Sequence, residues 1–190
     1  MSRLGILGGT FDPPHNGHLA LARSSLEFLK LDKVIFVPTA INPHKQHLKI
    51  TDPKFRLDML KLAIGNNAMF EVSDMEINRA GLSYTCDTVR EFKKIYQEAD
   101  FYLIIGGDNI SDIESWKNPE DIFAIAEVAA AMRPQSRASG KYKDRITIIE
   151  MQPTDISSTT IREYVKCGRS IKKLVPAEVE QYIKENGLYR

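Results

Sequence analysis

The chain of 190 residues has little cysteine, almost no net charge and no long hydrophobic run. Its two cysteines, Cys86 and Cys167, lie far apart and outside any metal or redox spacing, which excludes a disulfide scaffold and favours a reducing cytoplasm. No apolar stretch approaches the roughly 20 residues needed to cross a bilayer. Residues 1–4 run directly into a strand-like segment, so we expect neither a signal peptide nor a membrane association.

Positive and negative side chains are balanced, with 26 Lys and Arg against 25 Asp and Glu. A duplex DNA-binding protein carries a broad basic surface, so nucleic acid is not an expected partner. A small phosphorylated ligand stays open, because it needs only a local cluster of donors. The length, with 43% hydrophobic residues, suits one domain with a sizeable core.

Short apolar runs alternate with segments of helical periodicity along the chain. Runs bounded by glycine, proline or polar residues predict strands at 4–7, 34–37, 70–72, 101–105, 128–132 and 146–149. Apolar residues at helical spacing predict helices at 17–29, 53–62, 85–99, 120–126, 157–167 and 177–185, with 78–83 as a loop. This alternation predicts an α/β fold, a doubly wound and mainly parallel sheet with helices on both faces.

In such a sheet, ligands bind beyond the carboxyl ends of the strands, near the point where the strand order reverses. The loops that follow the strands are therefore the candidate functional segments. Three of them have unusual compositions: 8–18, 106–116 and 154–162.

The first of these loops combines a Gly-Gly turn with two histidines. Gly8 and Gly9 allow a ligand to approach the main chain closely, although the pattern is neither a G-x-G-x-x-G nor a Walker A motif. His15 and His18 are three residues apart and flank Gly17 at the start of a helix, where unpaired N–H groups and the helix dipole favour an anion. We interpret this loop as an anion site; the alternative is a capped helix with incidental histidines.

The loop at 154–162 is rich in hydroxyl groups and precedes another helix. Ser157 or Ser158 is a suitable N-cap, and the Arg162 guanidinium can reach back along the first turn. Hydroxyls, backbone N–H groups and an arginine fork suit a polyphosphate, although such a cluster often only caps its helix.

Together, the segments Gly8–His18 and Ile156–Arg162 resemble the paired signature of the H-x-G-H nucleotidyltransferases, a Rossmann-like superfamily. Pro43-His44-Lys45, Tyr84-Thr85, Gly106-Gly107-Asp108-Asn109 and Ser115-Trp116 are similar to motifs of the bacterial nicotinate-nucleotide adenylyltransferases. The resemblance covers essentially the whole chain. The related pantetheine-phosphate adenylyltransferases are shorter and usually carry Thr at the position of His15.

The resemblance implies transfer of AMP from ATP to nicotinate mononucleotide, with release of pyrophosphate, in NAD biosynthesis. It implies Mg²⁺ held mainly by substrate phosphates, with Asp12 and Asp108 as the protein contacts to consider, and it leaves a homodimer open. The implied ATP-binding residues are Gly8, Gly9, Thr10, Phe11, His15, His18, Gly106, Asp108, Ser157, Ser158 and Arg162. We expect the mononucleotide to contact Lys45, Thr85, Trp116, Lys117 and Arg133.

The implied chemistry needs no activated side-chain nucleophile, because the phosphate of the mononucleotide attacks directly. Catalysis then consists of alignment and charge stabilisation, without a covalent intermediate, and the residues expected to supply it are His18, Thr10, His15, Lys45 and Arg162. The helices at 157–190 are expected to complete the phosphate site within a single domain, 1–190.

Other interpretations of these residues stay open. The acceptor could be nicotinamide mononucleotide, or the chain could be a non-catalytic nucleotide sensor. His44 and His47 could join His15 and His18 at a zinc ion, but no cysteine assists, so we predict no protein metal site. The Phe11 ring could pack on adenine or belong to the core.

Overall fold

The computed structural model describes residues 1–43, 48–132, 138–151 and 155–190. Within these residues, the strands are β1 (Arg3–Gly9), β2 (Lys33–Pro38), β3 (Phe70–Val72), β4 (Asp100–Gly106), β5 (Ala126–Met132) and β6 (Ile146–Glu150). The α-helices are α1 (Asn16–Leu29), α2 (Pro53–Ile64), α3 (Met75–Arg79), α4 (Thr85–Ile95), α5 (Pro119–Ile125), α6 (Ser158–Lys166) and α7 (Ala177–Glu185).

The strands form one sheet in the order β3-β2-β1-β4-β5-β6, and every neighbouring pair is parallel. The strand order reverses between β1 and β4, which confirms the predicted doubly wound α/β fold. The carboxyl ends of these two central strands are therefore where a ligand is expected.

Both faces of the sheet are covered, as the continuous apolar runs of its central strands require. In β4, Phe101 and Leu103 belong to a core cluster that includes side chains of α4 and α5. Tyr102 and Ile104, which point to the opposite face, belong to a second cluster with side chains of α1 and α2. The sheet thus fixes the positions of the loops at its carboxyl edge from two sides.

A third apolar cluster attaches the carboxyl-terminal helices to α2. Met59 and Ala63 of α2 pack there with Ile161 of α6 and with Val179 and Ile183 of α7. This packing places α6 beside the loop that follows β1. No helix in the described ranges is long and apolar enough to cross a membrane.

Two of the predicted helical boundaries need correction. The segment predicted as a loop at 78–83 begins inside α3, a single turn that ends at Arg79. Its isolated turn is too short to show a helical period, and it is anchored by Glu76, which is 5% exposed. Helix α4 ends at Ile95 rather than at 99, because Tyr96 leaves the helical conformation at φ −115° and ψ 69°.

Candidate active site

A cleft of about 1490 Å³ opens at the carboxyl ends of β1 and β4. It lies at the reversal of strand order, where a doubly wound sheet binds its ligands. The three loops singled out by their composition all contribute to its lining, through described residues that include Thr10, His18, Asp108, Trp116 and Arg162. The structure therefore brings His18 and Arg162 to one cleft, although 144 positions separate them in the sequence.

Four buried side-chain atoms have no hydrogen-bond partner within the described part of the chain, and all four belong to residues that line this cleft. They are Thr10 Oγ1, His15 Nδ1, Thr39 Oγ1 and Glu76 Oε2. Buried polar atoms are nearly always paired in folded proteins, so unpaired ones deserve an explanation. Their concentration around one cleft indicates a polar ligand. Thr39 and Glu76 have no sequence motif and were missed by sequence reasoning.

The two histidines stack on each other at the amino terminus of α1, with ring centroids 3.6 Å apart. His15 is the N-cap residue, and its backbone N–H donates to His18 Nδ1 at 3.2 Å. With Nδ1 accepting, a neutral His18 ring carries its proton on Nε2 and donates from that atom. His15 is 7% exposed, and burial lowers its pKa to about 4. His15 therefore enters the site as a neutral imidazole.

The Phe11 ring packs against the His18 ring of the histidine pair. Its ring meets the His18 ring edge-on at 4.9 Å and packs against Phe36 at 6.0 Å. The side chain is only 2% exposed, which leaves little surface for an adenine. The structure favours the interpretation of Phe11 as a core residue, although it borders the cleft.

Gly8 and Gly9 differ in the surroundings that a side chain would meet at each position. A Cβ at Gly9 would lie 3.0 Å from the Phe11 ring, so its glycine is explained by packing. A Cβ at Gly8 would meet no protein atom within 4 Å and would enter the cleft. The space beside Gly8 is therefore open on the side of the cleft, and its use by a ligand stays a prediction.

The amino terminus of α6 is tied to the loop after β1. Ser157 is the N-cap, and its Oγ accepts from the backbone N–H of Thr160 at 3.1 Å. Ser158 Oγ donates to the carbonyl oxygen of Pro13 at 2.8 Å, so its hydroxyl hydrogen is already used within the protein. The expected contribution of Ser158 to phosphate binding therefore falls to its backbone N–H.

Arg162 bridges the same two segments. Its Nη1 donates to the carbonyl oxygen of Asp12 at 2.7 Å, and its Nη2 donates to Thr159 Oγ1 at 3.3 Å. A guanidinium has five N–H groups, so others remain for a bidentate contact with phosphate.

A buried arginine that the sequence analysis missed binds the backbone of the loops that form the site. Arg56 of α2 is 0% exposed and donates to the carbonyl oxygens of Thr10, Thr39 and Thr51, each within 2.8 Å, and to that of Ala40 at 3.3 Å. A buried charge is tolerated only when it is well hydrogen-bonded. Arg56 therefore fixes the backbone of the loops after β1 and β2 relative to α2. Its helical spacing within α2 gave no sign of this role.

Thr85, Trp116 and Lys117, which are predicted to contact the mononucleotide, line the cleft on the side of the first core cluster, whereas Phe11 belongs to the second cluster on the other face of the sheet. Thr85 opens α4, whose first N–H groups have no partner within the helix. Trp116 is half-buried and packs against the first core cluster. Lys117 is exposed, donates to Asp87 Oδ2 at 2.8 Å and lies 4.5 Å from the centroid of the Tyr84 ring. That ion pair raises the pKa of Lys117, so its side chain stays cationic.

Gly106 and Asp108 follow β4 and border the cleft between these two sides. The Asp108 side chain accepts a hydrogen bond from Asn109 Nδ2 at 3.3 Å. A Cβ at Gly106 would lie 2.5 Å from Asp108 Oδ1, so the glycine allows this turn to fold back on itself.

Several predicted residues lie outside the described residues: Lys45, Arg133, His44 and His47. Their predicted roles stay predictions. Across the residues that the structure does describe, no group of three or more His, Cys, Asp or Glu side chains is placed to hold a metal ion.

Comparison with known proteins agrees with this geometry. The family model described as cytidylyltransferase-like matches residues 6–164. A "Probable nicotinate-nucleotide adenylyltransferase" of Halalkalibacterium halodurans is 41% identical over 191 residues, covering 100% of this chain and 92% of the relative. A protein of the same name from Clostridium tetani is 40% identical, with 100% of both chains covered.

Solved structures share the fold. The Plasmodium falciparum nicotinic acid mononucleotide adenylyltransferase complexed with NaAD has a TM-score of 0.82 at 20% identity, covering 100% of this chain and 98% of its own. The same enzyme complexed with APC gives a TM-score of 0.80.

The doubly wound sheet with a cleft at its strand reversal, together with the family match over residues 6–164, defines a nucleotidyltransferase-type α/β protein. Given the extent and identity of these matches, the chain belongs to the cytidylyltransferase-like family and, within it, to the nicotinate-nucleotide adenylyltransferases.

Proposed function

We propose that this chain transfers the adenylyl group of ATP to nicotinate mononucleotide, giving nicotinate adenine dinucleotide and pyrophosphate in NAD biosynthesis. The observation that carries the proposal is the convergence of His18, Thr10 and Arg162 on one cleft at the strand reversal. The names of relatives at 40–41% identity over the whole chain support the choice of substrates.

The reaction is a direct in-line displacement at the α-phosphorus of ATP. A phosphate oxygen of the mononucleotide forms the new O–P bond, and the bond to the bridging oxygen breaks, so that pyrophosphate leaves with the electron pair. His18, donating from Nε2, is placed to stabilise charge on the reacting phosphate, and the unpaired Thr10 hydroxyl lines the same cleft. Arg162 and the amino terminus of α6 suit the leaving pyrophosphate. His15 orients His18 through stacking and its backbone N–H.

Magnesium enters the proposal through the substrate phosphates. Asp12 is 3% exposed, and its carboxylate oxygens accept hydrogen bonds from Tyr189 and from the backbone N–H of Thr51, so it is the less accessible carboxylate of the predicted pair. Asp108 is exposed and borders the cleft, so of the two predicted carboxylates it is the one that fits a contact with Mg²⁺. Mg²⁺ commonly binds through one or two carboxylates together with substrate phosphates, and there it supplies charge neutralisation.

We propose the acid form of the mononucleotide as the acceptor because the side of the cleft expected to bind its pyridine ring is electropositive. The amino terminus of α4 at Thr85 and the backbone N–H of Lys117 border the place expected for the pyridine ring. A carboxylate gains from both, whereas an amide gains less. Lys45 and Arg133 are proposed as additional cations for the two nucleotides.

The test is the initial rate of pyrophosphate release from ATP with the acid and with the amide mononucleotide. Hydrogen bonds to a charged group contribute about 1.5–3 kcal/mol, so we expect kcat/KM at least about tenfold higher with the acid. Faster use of the amide would reverse the choice of acceptor. ATP binding without pyrophosphate release from either would indicate a nucleotide sensor.

The cellular setting belongs to the same proposal. Cys86 and Cys167 are both free thiols, which suits a reducing cytoplasm.

We propose that residues 1–190 act as one domain, since the third apolar cluster joins α6 and α7 to α2. The homodimer stays a prediction.

A further inference from the structure

The Asp12 carboxylate is a buried charge whose partners come from distant parts of the chain. Asp12 is 3% exposed. Its Oδ1 accepts from the Tyr189 hydroxyl at 2.6 Å, and its Oδ2 accepts from the backbone N–H of Thr51 at 3.2 Å. A buried carboxylate without such partners is strongly disfavoured, so these two donors fix its position.

The backbone of the same residue holds Arg162. The Asp12 carbonyl oxygen accepts from Arg162 Nη1 at 2.7 Å. A shift of the Asp12 backbone would therefore move the acceptor that orients the guanidinium. The Tyr189 hydroxyl contacts the side chain of Asp12, and the main chain of Asp12 orients Arg162.

Tyr189 adopts an unusual backbone conformation. Its φ is +64°, in the left-handed region that a bulky residue rarely adopts. Its ring packs against the third apolar cluster, and burial together with the Asp12 charge raises the pKa of the phenol. The hydroxyl therefore keeps its hydrogen and remains a donor to Asp12 across the working range of pH. Unusual backbone conformations persist where surrounding contacts enforce them, and here the short bond to Asp12 is such a contact.

Tyr182 offers a comparison within the same cluster. It packs against the same apolar residues, and its hydroxyl donates to Asp58 Oδ2 at 3.0 Å. Asp58 is not among the described residues that line the cleft. The two tyrosines thus make similar hydrogen bonds, but only the bond of Tyr189 leads to a residue of the site.

We infer that Tyr189 is a positioning residue for the nucleotide side of the site, because its hydroxyl fixes Asp12 and thereby the acceptor that orients Arg162. The inference rests on the proposed adenylyl transfer. It assigns to a side chain outside the cleft a role in how ATP is held and converted.

The experiment compares the variants Tyr189→Phe and Tyr182→Phe in the full chain. Each loses one hydroxyl and keeps its ring, so both are expected to fold. Tyr189→Phe removes a donor from a buried carboxylate and is expected to melt at the lower temperature, so the kinetics are compared at a temperature at which both variants are fully folded. Because small displacements of a positioned group cost substantial rate, we expect Tyr189→Phe to lower kcat/KM for ATP about tenfold, with KM for nicotinate mononucleotide within about twofold of the wild type. Tyr182→Phe keeps the wild-type kinetics.

A double-mutant cycle with Arg162→Lys separates positioning from general stability. In the Arg162→Lys background, the guanidinium is gone, so Tyr189→Phe is expected to change kcat/KM by less than about twofold. The same tenfold loss in both backgrounds, or equal kinetics of the two tyrosine variants, would overturn the inference. A wild-type chain that releases no pyrophosphate would instead refute the proposed function, so the two failures are distinguishable.

Discussion

The two sides of the cleft are built in different ways. The side that holds His18 and Arg162 depends on buried hydrogen bonds between distant segments, with Asp12 3% exposed and Arg56 fully buried. The side with Trp116 and Lys117 depends on one half-buried ring and on an ion pair whose side chains are 43% and 31% exposed. The first side is held by contacts that are shielded from water, and the second by contacts that solvent weakens.

This difference matches the demands of the proposed reaction. Charge stabilisation of a reacting phosphate depends on donors that are already in place when the bond breaks. Recognition of a flat aromatic ring depends on stacking, which tolerates small displacements. The side that performs the chemistry is therefore the side on which the chain concentrates its buried polar contacts.

The largest effect is expected at His18. Removal of a well-placed donor typically costs about a hundred- to a thousandfold in rate, so His18→Ala should lower kcat by that factor. Pyrophosphate release at saturating substrates is the measurement, and a circular dichroism melt checks that the fold persists.

A matched variant shows which part of the His18 ring matters. His18→Asn places an amide oxygen near the Nδ1 position, so it can still accept from the His15 backbone N–H, but it lacks the Nε2 donor. It should be as slow as His18→Ala. Near-wild-type turnover of His18→Asn would mean that the ring serves the helix cap and not the phosphate.

The next effect tests how well the His15 side chain is shielded from water. Burial lowers the pKa of His15 from 6.5 to about 4, so between these values the unfolded chain binds a proton that the folded chain does not. The contribution of His15 to stability is therefore fully present above pH 6.5 and is lost as the pH decreases toward 4, by about 3 kcal/mol in total.

Urea unfolding across this range in wild type and His15→Asn measures that contribution. Asparagine is a good N-cap and does not titrate, so the variant should show a flatter dependence of the unfolding free energy on pH. All other titrating groups are common to both proteins, and identical pH profiles would show that His15 is not shielded from water.

The smallest effect is expected on the mononucleotide side. Stacking on an aromatic side chain contributes about 1–3 kcal/mol, so Trp116→Ala should raise KM for nicotinate mononucleotide by about 5- to 150-fold. KM for ATP should stay near the wild-type value. Trp116→Phe retains a stacking face and should recover part of the loss.

Lys117→Ala provides the control for this side. Its side chain is exposed, and the expected contact to substrate comes from the backbone N–H, which alanine keeps. We expect less than about a threefold change in either KM, as is usual for an exposed ion pair. A larger effect of Lys117→Ala than of Trp116→Ala would show that charge, not stacking, dominates recognition.

Much of the fold could be predicted from the sequence because its signals are local. The apolar runs at 34–37 and 101–105 are continuous, as buried parallel strands require, and both are strands in the structure. The Asp52-Pro53 pair marks the start of α2, where the Asp52 carboxylate accepts from the backbone N–H of Lys54 at 2.8 Å. Helix α3 gave no such signal, since one turn is shorter than a helical repeat.

The candidate site was predictable where its residues form compact motifs. His15, His18 and the Ser157 cap stand in short segments with a chemical rationale, and all of them line the cleft. Arg56 and Tyr189 stand in no motif, because the partners of Arg56 are backbone oxygens and the partner of Tyr189 is 177 positions away. Only the packing of α2, α6 and α7 brings them to the site, and packing of this kind has no local sequence pattern.

Arg56 also separates the support of the loops from the chemistry that they present. It binds main-chain oxygens of Thr10, Thr39 and Thr51, and every amino acid carries that same atom. A substitution at one of these threonines is therefore expected to remove its hydroxyl from the site while the guanidinium still anchors the backbone, so such variants test the side chain alone.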